Sequence, residues 1–305
     1  MRIFKTDSNV DFMGRGRLSV SLSLVLILVG FVAFFGWKGL NYGIDFTGGT
    51  LVQVRLEGAG DITAIRAALG DTDLGSFSLQ AFGEAGGNEY LITLGEVEEQ
   101  ASVAGKSRAL RVEEALKTHF PKVLIRRVES VGPKVGAELK LAAAEAIVFS
   151  LVAMLLYIWV RFQWRYSVGA IFATLHDVLI VLAAFVFTQR EVSLTVVAGV
   201  LTVAGYSVND TIVIFDRIRE SMHRFQKRDP YEVFNLSINQ TLSRTVLTSG
   251  TTLLVVVILF FFGGDIINDF AFALLVGILV GTYSSIFTAA PVVYWLLKRF
   301  PPKVA

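Results

Sequence analysis

The amino-acid sequence predicts a membrane protein with six transmembrane α-helices and one α+β domain outside the membrane. Of its 305 residues, 53% are apolar and only 18% are charged, and the mean hydropathy is +0.60. This balance lies outside the range of ordinary soluble domains. Long apolar runs exclude a disordered chain, and a net charge of +2 gives no support to a nucleic-acid partner. The absence of cysteine excludes disulfides and cysteine-bound metals.

Six stretches with few charges are long enough to cross the hydrocarbon core, which takes about 20 helical residues. We predict transmembrane helices at residues 18–37, 139–160, 167–188, 192–215, 245–262 and 270–297. The first stretch follows two arginines, as a signal peptide would. It is longer than a typical signal peptide core and lacks a cleavage site of small residues, so we predict that it stays as the first span.

Lysine and arginine are concentrated on one side of the predicted helices. They occur in the N-terminus (1–17), in the connection after the second span, in the loop 216–244 and in the C-terminus (298–305). The short connections on the other side contain Arg190 in one case and Asp265 with Asp269 in the other. Because cytoplasmic connections are enriched in positive charge, we predict that both termini are cytoplasmic.

Residues 38–138 form the long hydrophilic segment, which this topology places outside the cytoplasm. Strand-like runs at 51–56, 76–82, 90–94 and 123–128 are interleaved with helix-like runs at 61–69 and 102–120. The order βαββαβ predicts a ferredoxin-like α+β domain. Since this segment contains no recognisable catalytic constellation, we interpret it as a contact or clamp surface.

Polar side chains inside the fourth span are the principal candidates for function, because a charge in hydrocarbon costs several kcal/mol and usually marks a pathway. Thr195, Thr202, Tyr206, Asn209 and Asp210 fall within an arc of roughly 100° on this helix. A buried carboxyl group near a cation is suited to gaining and losing a proton.

We therefore predict a proton relay formed by Asp210, Asn209, Arg244 at the start of the fifth span, and Thr248 one turn further along. Two alternatives remain open. The same residues would serve as static contacts between helices, or they would coordinate Na⁺ or another ion.

His176 and Asp177 near the centre of the third span are secondary relay candidates. Neighbours on a helix point about 100° apart, so only one of them readily faces any single partner. A polar contact with another subunit explains them equally well. Spans five and six contain no second acidic residue at matching depth, so a complete carboxylate relay within this chain is not expected.

The sixth span contains small residues at a spacing of four, which allows helices to approach closely. The set is Ala273, Gly277, Gly281, Ser285 and Ala289. We assign Gly277, Gly281 and Ser285 to helix packing, and we expect Pro291 to kink the helix. There is no phosphate-binding loop and no cluster with metal-ligand spacing. We therefore expect no enzymatic activity, no metal and no cofactor, with protons as the coupling ion.

Several longer motifs resemble the SecF family of bacterial protein-export subunits. They are NYGIDFTGGT at 41–50, VGPKVG at 131–136, LHDV at 175–178, GYSVNDTIVIFDR at 205–217, and Arg244-Thr245 with Thr248-Ser249. The resemblance covers nearly the whole chain and implies half of a twelve-helix unit of the resistance-nodulation-division (RND) type in the bacterial inner membrane. The implied partners are SecD, which forms the other half, the SecYEG channel, the preprotein substrate and membrane lipids.

The resemblance also implies a mechanism. Asp210 and Arg244 would be the proton-responsive pair of this chain, the second relay carboxylate would be on SecD, and the proton gradient would promote the late stage of preprotein export. An RND-type exporter of small molecules or lipids is an alternative, although such proteins generally carry both halves in one chain. An intramembrane protease is disfavoured because the Gly-x-Ser-Gly and Gly-x-Gly-Asp patterns are absent.

Overall fold

A computed structural model of the protein describes residues 10–57, 61–70, 72, 74–75, 77–82, 88–95, 101–120 and 122–301. The chain divides into two compact units. The helical unit comprises Met1–Asn41 and Ala146–Ala305, and the α+β unit comprises Tyr42–Glu145.

In chain order the elements are α1 (Gly16–Gly36), β1 (Asn41–Tyr42), α2 (Ile44–Thr47), β2 (Gly49–Leu56), α3 (Ile62–Gly70), β3 (Phe77–Phe82), β4 (Glu89–Leu94), α4 (Ala101–Lys117), β5 (Val123–Val131), α5 (Pro133–Arg161), α6 (Trp164–Thr188), β6 (Glu191–Val192), α7 (Leu194–Arg224), α8 (Pro230–Phe262), α9 (Asp265–Ser284), a π-helical segment (Ser285–Ala289) and α10 (Ala290–Arg299).

Six helices are long and apolar enough to cross a membrane, which confirms the predicted fold class. The candidate spans are Leu18–Gly36, Pro133–Arg161, Trp164–Thr188, Leu194–Arg224, Pro230–Phe262 and Ile266–Arg299. The helix of the second span starts at Pro133, six residues before the predicted boundary. Proline is well placed at a helix start because its missing N–H has no acceptor there.

The segment 216–244, predicted as a loop, is mostly helical. The fourth span continues as α7 to Arg224, and α8 begins at Pro230 after a short turn. Asp229 caps α8, since its carboxylate accepts the backbone N–H of Tyr231 at 3.0 Å. The composition becomes polar at residue 216, but the helical propensity continues, so the end of the apolar run does not mark the end of the helix.

The α+β unit contains a four-stranded sheet in the order β3-β4-β2-β5, with every neighbouring pair antiparallel. For a βαββαβ chain this order is that of the predicted ferredoxin-like domain. Alternate residues of the two central strands, β2 and β4, are buried, as a sheet with one covered face requires. Val52, Val54 and Leu56 of β2 and Ile92 and Leu94 of β4 form the core, together with Ile65 and Leu69 of α3 and Val112 and Leu116 of α4.

The helical unit has a core of three spans surrounded by three more exposed ones. Half of the apolar stretch of each of α6, α7 and the sixth span is buried inside the protein. The buried share is far lower in α1, α5 and α8. Val160 of α5 is 90% exposed and Phe262 of α8 is 84% exposed. These apolar outer faces suit contact with lipid or with other transmembrane helices.

The small residues of the sixth span pack against α7. A Cβ on Gly277 would lie 2.1 Å from Cγ2 of Val203, and a Cβ on Gly281 would lie 3.2 Å from Cβ of Ser207. The backbones of α7 and α9 therefore approach each other as closely as only glycine permits.

Pro291 accounts for the π-helical segment that interrupts the sixth span. Proline has no N–H and its ring clashes with the preceding turn, so the hydrogen-bond ladder widens before it. The π-helical segment thus ends two residues before Pro291, and the kink at Pro291 stays a prediction.

Candidate functional site

The first polar site of the bundle is the carboxyl group of Asp210, near the middle of α7. Its side chain is 3% exposed. Ser249 of α8 donates from Oγ to Asp210 Oδ2 at 3.0 Å, and Thr282 of α9 donates to Ser249 Oγ at 2.9 Å. Two hydroxyl groups therefore connect α9 and α8 to the acid on α7. These hydrogen bonds offset part of the free-energy cost of burying a carboxyl group.

Arg244, predicted as the partner of Asp210, makes no ion pair with it in the part of the chain that the structure describes. It precedes Ser249 by five residues and so points to a different side of α8. Its side chain is exposed, although its charge still attracts the Asp210 carboxylate. Arg244 lines an open cavity of about 270 Å³, whose other lining residues are Tyr157, Arg161, Phe162, Ile212, Val213 and Asp216.

Two further predicted relay residues lie outside this site. Thr248 Oγ1 binds the carbonyl oxygens of Arg244 and Thr245 on its own helix, at 3.0 Å each, and its side chain is exposed. Asn209 is also exposed, on the side of α7 adjacent to the buried Asp210. The hydroxyl group that contacts the acid belongs to the next residue along α8, Ser249.

The polar stripe predicted on the fourth span divides into two. Thr195, Thr202 and Asn209 are exposed on the surface of the helical unit at a spacing of seven residues. Tyr206 is directed towards α8, and its hydroxyl group donates to Thr252 Oγ1 at 3.4 Å. One part of the stripe is thus available to a partner or to lipid, and the other belongs to the α7–α8 contact.

His176 and Asp177 form a second polar site at the centre of the bundle. Asp177 is fully buried and His176 is 3% exposed. Nδ1 of His176 lies 2.8 Å from Asp177 Oδ1. Asp177 Oδ2 accepts hydrogen bonds from Ser207 Oγ at 2.5 Å and from Ser284 Oγ at 2.8 Å. The two adjacent residues therefore bind each other, and the partners of Asp177 on α7 and α9 belong to this chain, not to another subunit as the sequence also allowed.

The sixth span supplies hydroxyl groups to both acids as well as a packing surface. Ser285, assigned to packing, donates to the carbonyl of Gly281 at 2.8 Å and lies 2.9 Å from Thr211 Oγ1 of α7. Ser284 binds Asp177, and Thr282 reaches Asp210 through Ser249. The π-helical segment starts at Ser285, and such segments often occur where helices carry functional groups.

Ser207, Ser249, Thr282 and Ser284 complete the two sites and were not predicted as site residues. Serine and threonine are common in transmembrane helices, where they also bind their own backbone, so residue type alone is a weak signal. For two of them the spacing was an indication, since Ser207 lies three residues before Asp210 and Ser284 three residues after Gly281. Among the described residues no group of three or more metal-binding side chains is found.

The fold and the two buried acid sites define a polytopic membrane protein with ionisable groups inside its helix bundle. The family described as "Protein export membrane protein SecD/SecF, C-terminal" matches residues 111–299, and the family of the SecD/SecF GG motif matches residues 34–59. The protein translocase subunit SecF of Calditerrivibrio nitroreducens is 43% identical over 296 residues, which cover 96% of each chain. The protein translocase subunit SecF of Vibrio alginolyticus is 44% identical, covering 95% of this chain and 90% of that one.

The chain is also similar to a solved structure of SecDF from Thermus thermophilus, described as a translocon-associated membrane protein. The TM-score is 0.86 at 36% identity, and the match covers 97% of this chain. A second SecDF structure, in the super-membrane-facing form, gives a TM-score of 0.72 at 37% identity. The chain spans 40% of the length of these SecDF chains. The protein belongs to the SecD/SecF family of protein-export membrane proteins.

Proposed function

We propose that this chain is an auxiliary subunit of the Sec protein translocase that pairs with SecD and uses the proton gradient to promote late preprotein export. Its relatives are named translocase subunits, which favours protein export over the export of small molecules or lipids. Because the chain spans 40% of SecDF, a SecD partner would supply the remaining spans. The exposed apolar faces of α1, α5 and α8 offer surface for that partner.

The observation that carries the proposal is the position of Asp210. A carboxyl group that is 3% exposed inside a transmembrane helix, and bound by a hydroxyl group instead of a cation, changes its charge when it takes up a proton. Groups of this kind are costly in hydrocarbon and mark transport pathways. SecYEG and the preprotein would be the further partners, with both termini in the cytoplasm, where the basic connections place them.

In the mechanism we propose, protonation of Asp210 neutralises the acid and weakens the attraction of Arg244. The contact between α7 and α8 then changes, and the α+β domain changes its posture in response. Moving one charge across 100 mV supplies about 2.3 kcal/mol. Shifting a two-state equilibrium from 1:99 to 99:1 takes about 5.5 kcal/mol, so a few protons per cycle suffice.

The test is Asp210→Asn, which keeps the shape of the side chain and an acceptor for Ser249 but cannot ionise. Export of a preprotein into inverted membrane vesicles is measured with and without a proton gradient. We expect the stimulation by the gradient to disappear, while copurification with SecD is retained. Glu220→Gln is the matched control, because Glu220 is an exposed acid on the same helix that binds Arg217. Unchanged stimulation in an assembled Asp210→Asn complex would refute the role of this acid.

A further inference from the structure

We propose that His176 and Asp177 form a second proton-binding site, complete within this chain, in which Nε2 of His176 takes up the proton. Its contribution to transport rests on the proposed function, but proton binding at this site does not depend on it. The site differs from that of Asp210 in its helices and in its chemistry, since an imidazole and a carboxyl group share it.

The carboxyl group of Asp177 has the surroundings of an ionised acid. Three polar groups contact it: Nδ1 of His176 at Oδ1, which donates in the tautomer that carries its proton there, and the hydroxyl groups of Ser207 and Ser284, which donate to Oδ2. An ionised carboxylate has only acceptor sites, so all three hydrogen bonds are made at the same time in that state. Three charge-assisted hydrogen bonds account for a carboxylate that is fully buried among transmembrane helices.

The hydrogen bond at Nδ1 leaves Nε2 as the atom of His176 that changes its protonation. When Nδ1 donates to a carboxylate, Nε2 of the neutral imidazole carries the lone pair. Nε2 is buried and has no hydrogen-bond partner among the described residues. Without a proton there the pair has a net charge of −1, and with one it is neutral overall. Hydrocarbon penalises the uncompensated charge, so proton uptake at Nε2 relieves an electrostatic cost of the buried pair.

Helix α1 packs against α6, the helix that carries His176. Gly30 of α1 packs against Ala183 of α6. Gly16 of α1 packs against Pro291 of the sixth span. Gly169 of α6 packs within one turn of that proline, against Ala289 and Val293. In both cases the residue on α6 is 153 positions after the residue on α1. The two helices therefore run parallel and in register.

The same offset from Ser23 leads to His176. Ser23 is 3% exposed, and its Oγ is also buried without a hydrogen-bond partner among the described residues. The two packed helices thus each carry a buried polar atom without a partner among the described residues, the hydroxyl group of Ser23 and Nε2 of His176, at positions related by the same offset. The structure shows no hydrogen bond between them, and the proposal rests on Nε2 and Asp177 alone.

Asp177 is the acid that contacts His176, and its negative charge balances the positive charge of a protonated imidazole. Residues 18–36 of α1 contain no titratable side chain. On α9, Tyr283 is engaged with the carbonyl of Ser19 at 3.2 Å. Asp210 lies one turn from Ser207 on α7, and Tyr206 of the same helix donates to Thr252 on α8. The remaining titratable groups of the packed elements lie towards the ends of the helices: Arg165 and Tyr166 on α6, Asp216 to Arg224 on α7, Asp265 and Asp269 on α9, and Tyr294, Lys298 and Arg299 on α10.

Helix α7 connects the two acid sites. It carries Ser207, which binds Asp177, and one turn later Asp210, which accepts from Ser249. A movement of α7 that follows protonation at one site therefore changes the hydrogen bonds at the other. This arrangement gives the chain two proton-binding groups that share helix α7. The resemblance to the family implied only one such group, Asp210.

The experiment is ¹⁵N NMR of the full chain in lipid nanodiscs, with selectively labelled histidine. The chain has three histidines, so the signals of His176 are assigned by their loss in His176→Asn. Asparagine retains a donor near the position of Nδ1 and lacks Nε2, which makes it a conservative replacement. Over a range of samples from alkaline to acidic pH, we expect Nε2 of His176 to pass from unprotonated to protonated, while Nδ1 remains protonated throughout.

An Nε2 signal that stays in one protonation state over this range would overturn the proposal, as would a proton lost from Nδ1 instead. Asp210→Asn separates the two proposals in the same spectra, because His176 should still titrate in that variant. If His176 does not titrate but Asp210→Asn abolishes gradient-driven export, the proposed function stands and this inference fails. Titration of His176 together with undiminished export in Asp210→Asn would support this inference and refute the proposed role of Asp210.

Discussion

Ser249 Oγ donates to Asp210 Oδ2 at 3.0 Å across the contact between α7 and α8. The direct partner of the buried acid is thus a hydroxyl group, while Arg244 lines an open cavity whose wall does not include Asp210. A hydroxyl group donates to an ionised carboxylate and accepts from a protonated one, so this hydrogen bond reverses its direction when Asp210 takes up a proton. A guanidinium group has only donors and would hold the acid in one state.

Ser249→Ala is expected to weaken both the bundle and its response to the gradient. The substitution leaves Asp210 without its hydroxyl partner, and an unsatisfied buried polar group costs about 1–3 kcal/mol. We expect a lower unfolding temperature in detergent and a reduced stimulation of export by the proton gradient. Thr251→Ala is the control, since Thr251 is exposed and binds only carbonyl groups of its own helix. Equal effects of the two substitutions would contradict the role of Ser249.

Gly277→Ala is expected to force α7 and α9 apart. A Cβ at this position would lie 2.1 Å from Cγ2 of Val203, and the resulting overpacking costs about 1–3 kcal/mol. Gly205→Ala is the matched control, because a Cβ at Gly205 meets no atom within 4 Å. Thermal unfolding of both variants measures the difference. If Gly277→Ala were as stable as Gly205→Ala, the close approach of these helices would be disproved.

Gly49→Ala is expected to destabilise the α+β unit. Gly49 has φ = +126°, and a Cβ there would lie 2.5 Å from the carbonyl oxygen of Leu94 on the neighbouring strand. Backbone strain of this kind costs about 1–3 kcal/mol in addition to the clash. Hydrogen exchange of the β2 and β4 amides in the full chain should become faster. Gly70→Ala should leave these amides unchanged, since its Cβ meets nothing within 4 Å and its φ is ordinary.

The contact between Asp11 and Tyr231 is expected to break in acid. The N–H of Gly14 and the hydroxyl group of Tyr231 both donate to Asp11 Oδ1 at 2.8 Å, and these bonds lower the pKa of Asp11. Because the pKa of Asp11 is lower in the folded protein, the contact stabilises the fold when the pH is above the ordinary carboxyl pKa of about 3.9. This stabilisation is lost as the pH falls through the lower pKa of the folded state.

The Gly14 amide resonance reports this titration directly. In the native chain its midpoint should lie below about 3.9. Tyr231→Phe removes one of the two donors, so the pKa of Asp11 should rise towards its ordinary value and the midpoint should move to higher pH. Identical midpoints in both proteins would show that the Tyr231 hydroxyl group does not act on Asp11.

The placement of the site residues shows where helical periodicity ceases to be informative. Periodicity identified α7 as the helix with a polar face, and Asp210 is indeed its buried acid. Counting one turn from Arg244 predicts Thr248 as the contact on α8, whereas Ser249 makes the contact. The error is one residue, or about 100° of rotation. The rotation of α8 relative to α7 depends on side-chain packing along the whole contact, which no single helix records.

Asp177 illustrates the same limit at larger scale. Its position near the centre of an apolar run was evident, but its donors come from Ser207 and Ser284, which lie 30 and 107 residues further along the chain. Serine in a transmembrane helix commonly binds its own backbone. Only the close approach allowed by Gly281, against Ser207, brings these hydroxyl groups to the acid.

The sequence by itself determined the six spans, the βαββαβ unit and the buried acid at Asp210. These follow from local rules, since hydrocarbon requires long apolar helices and alternation of buried residues requires strands. The tertiary structure decided which hydroxyl groups meet which acid, that Arg244 lines an open cavity instead of pairing with Asp210, and that Nε2 of His176 is buried without a partner among the described residues. Those outcomes depend on the rotation and register of packed helices, which arise from contacts between residues distant in the chain.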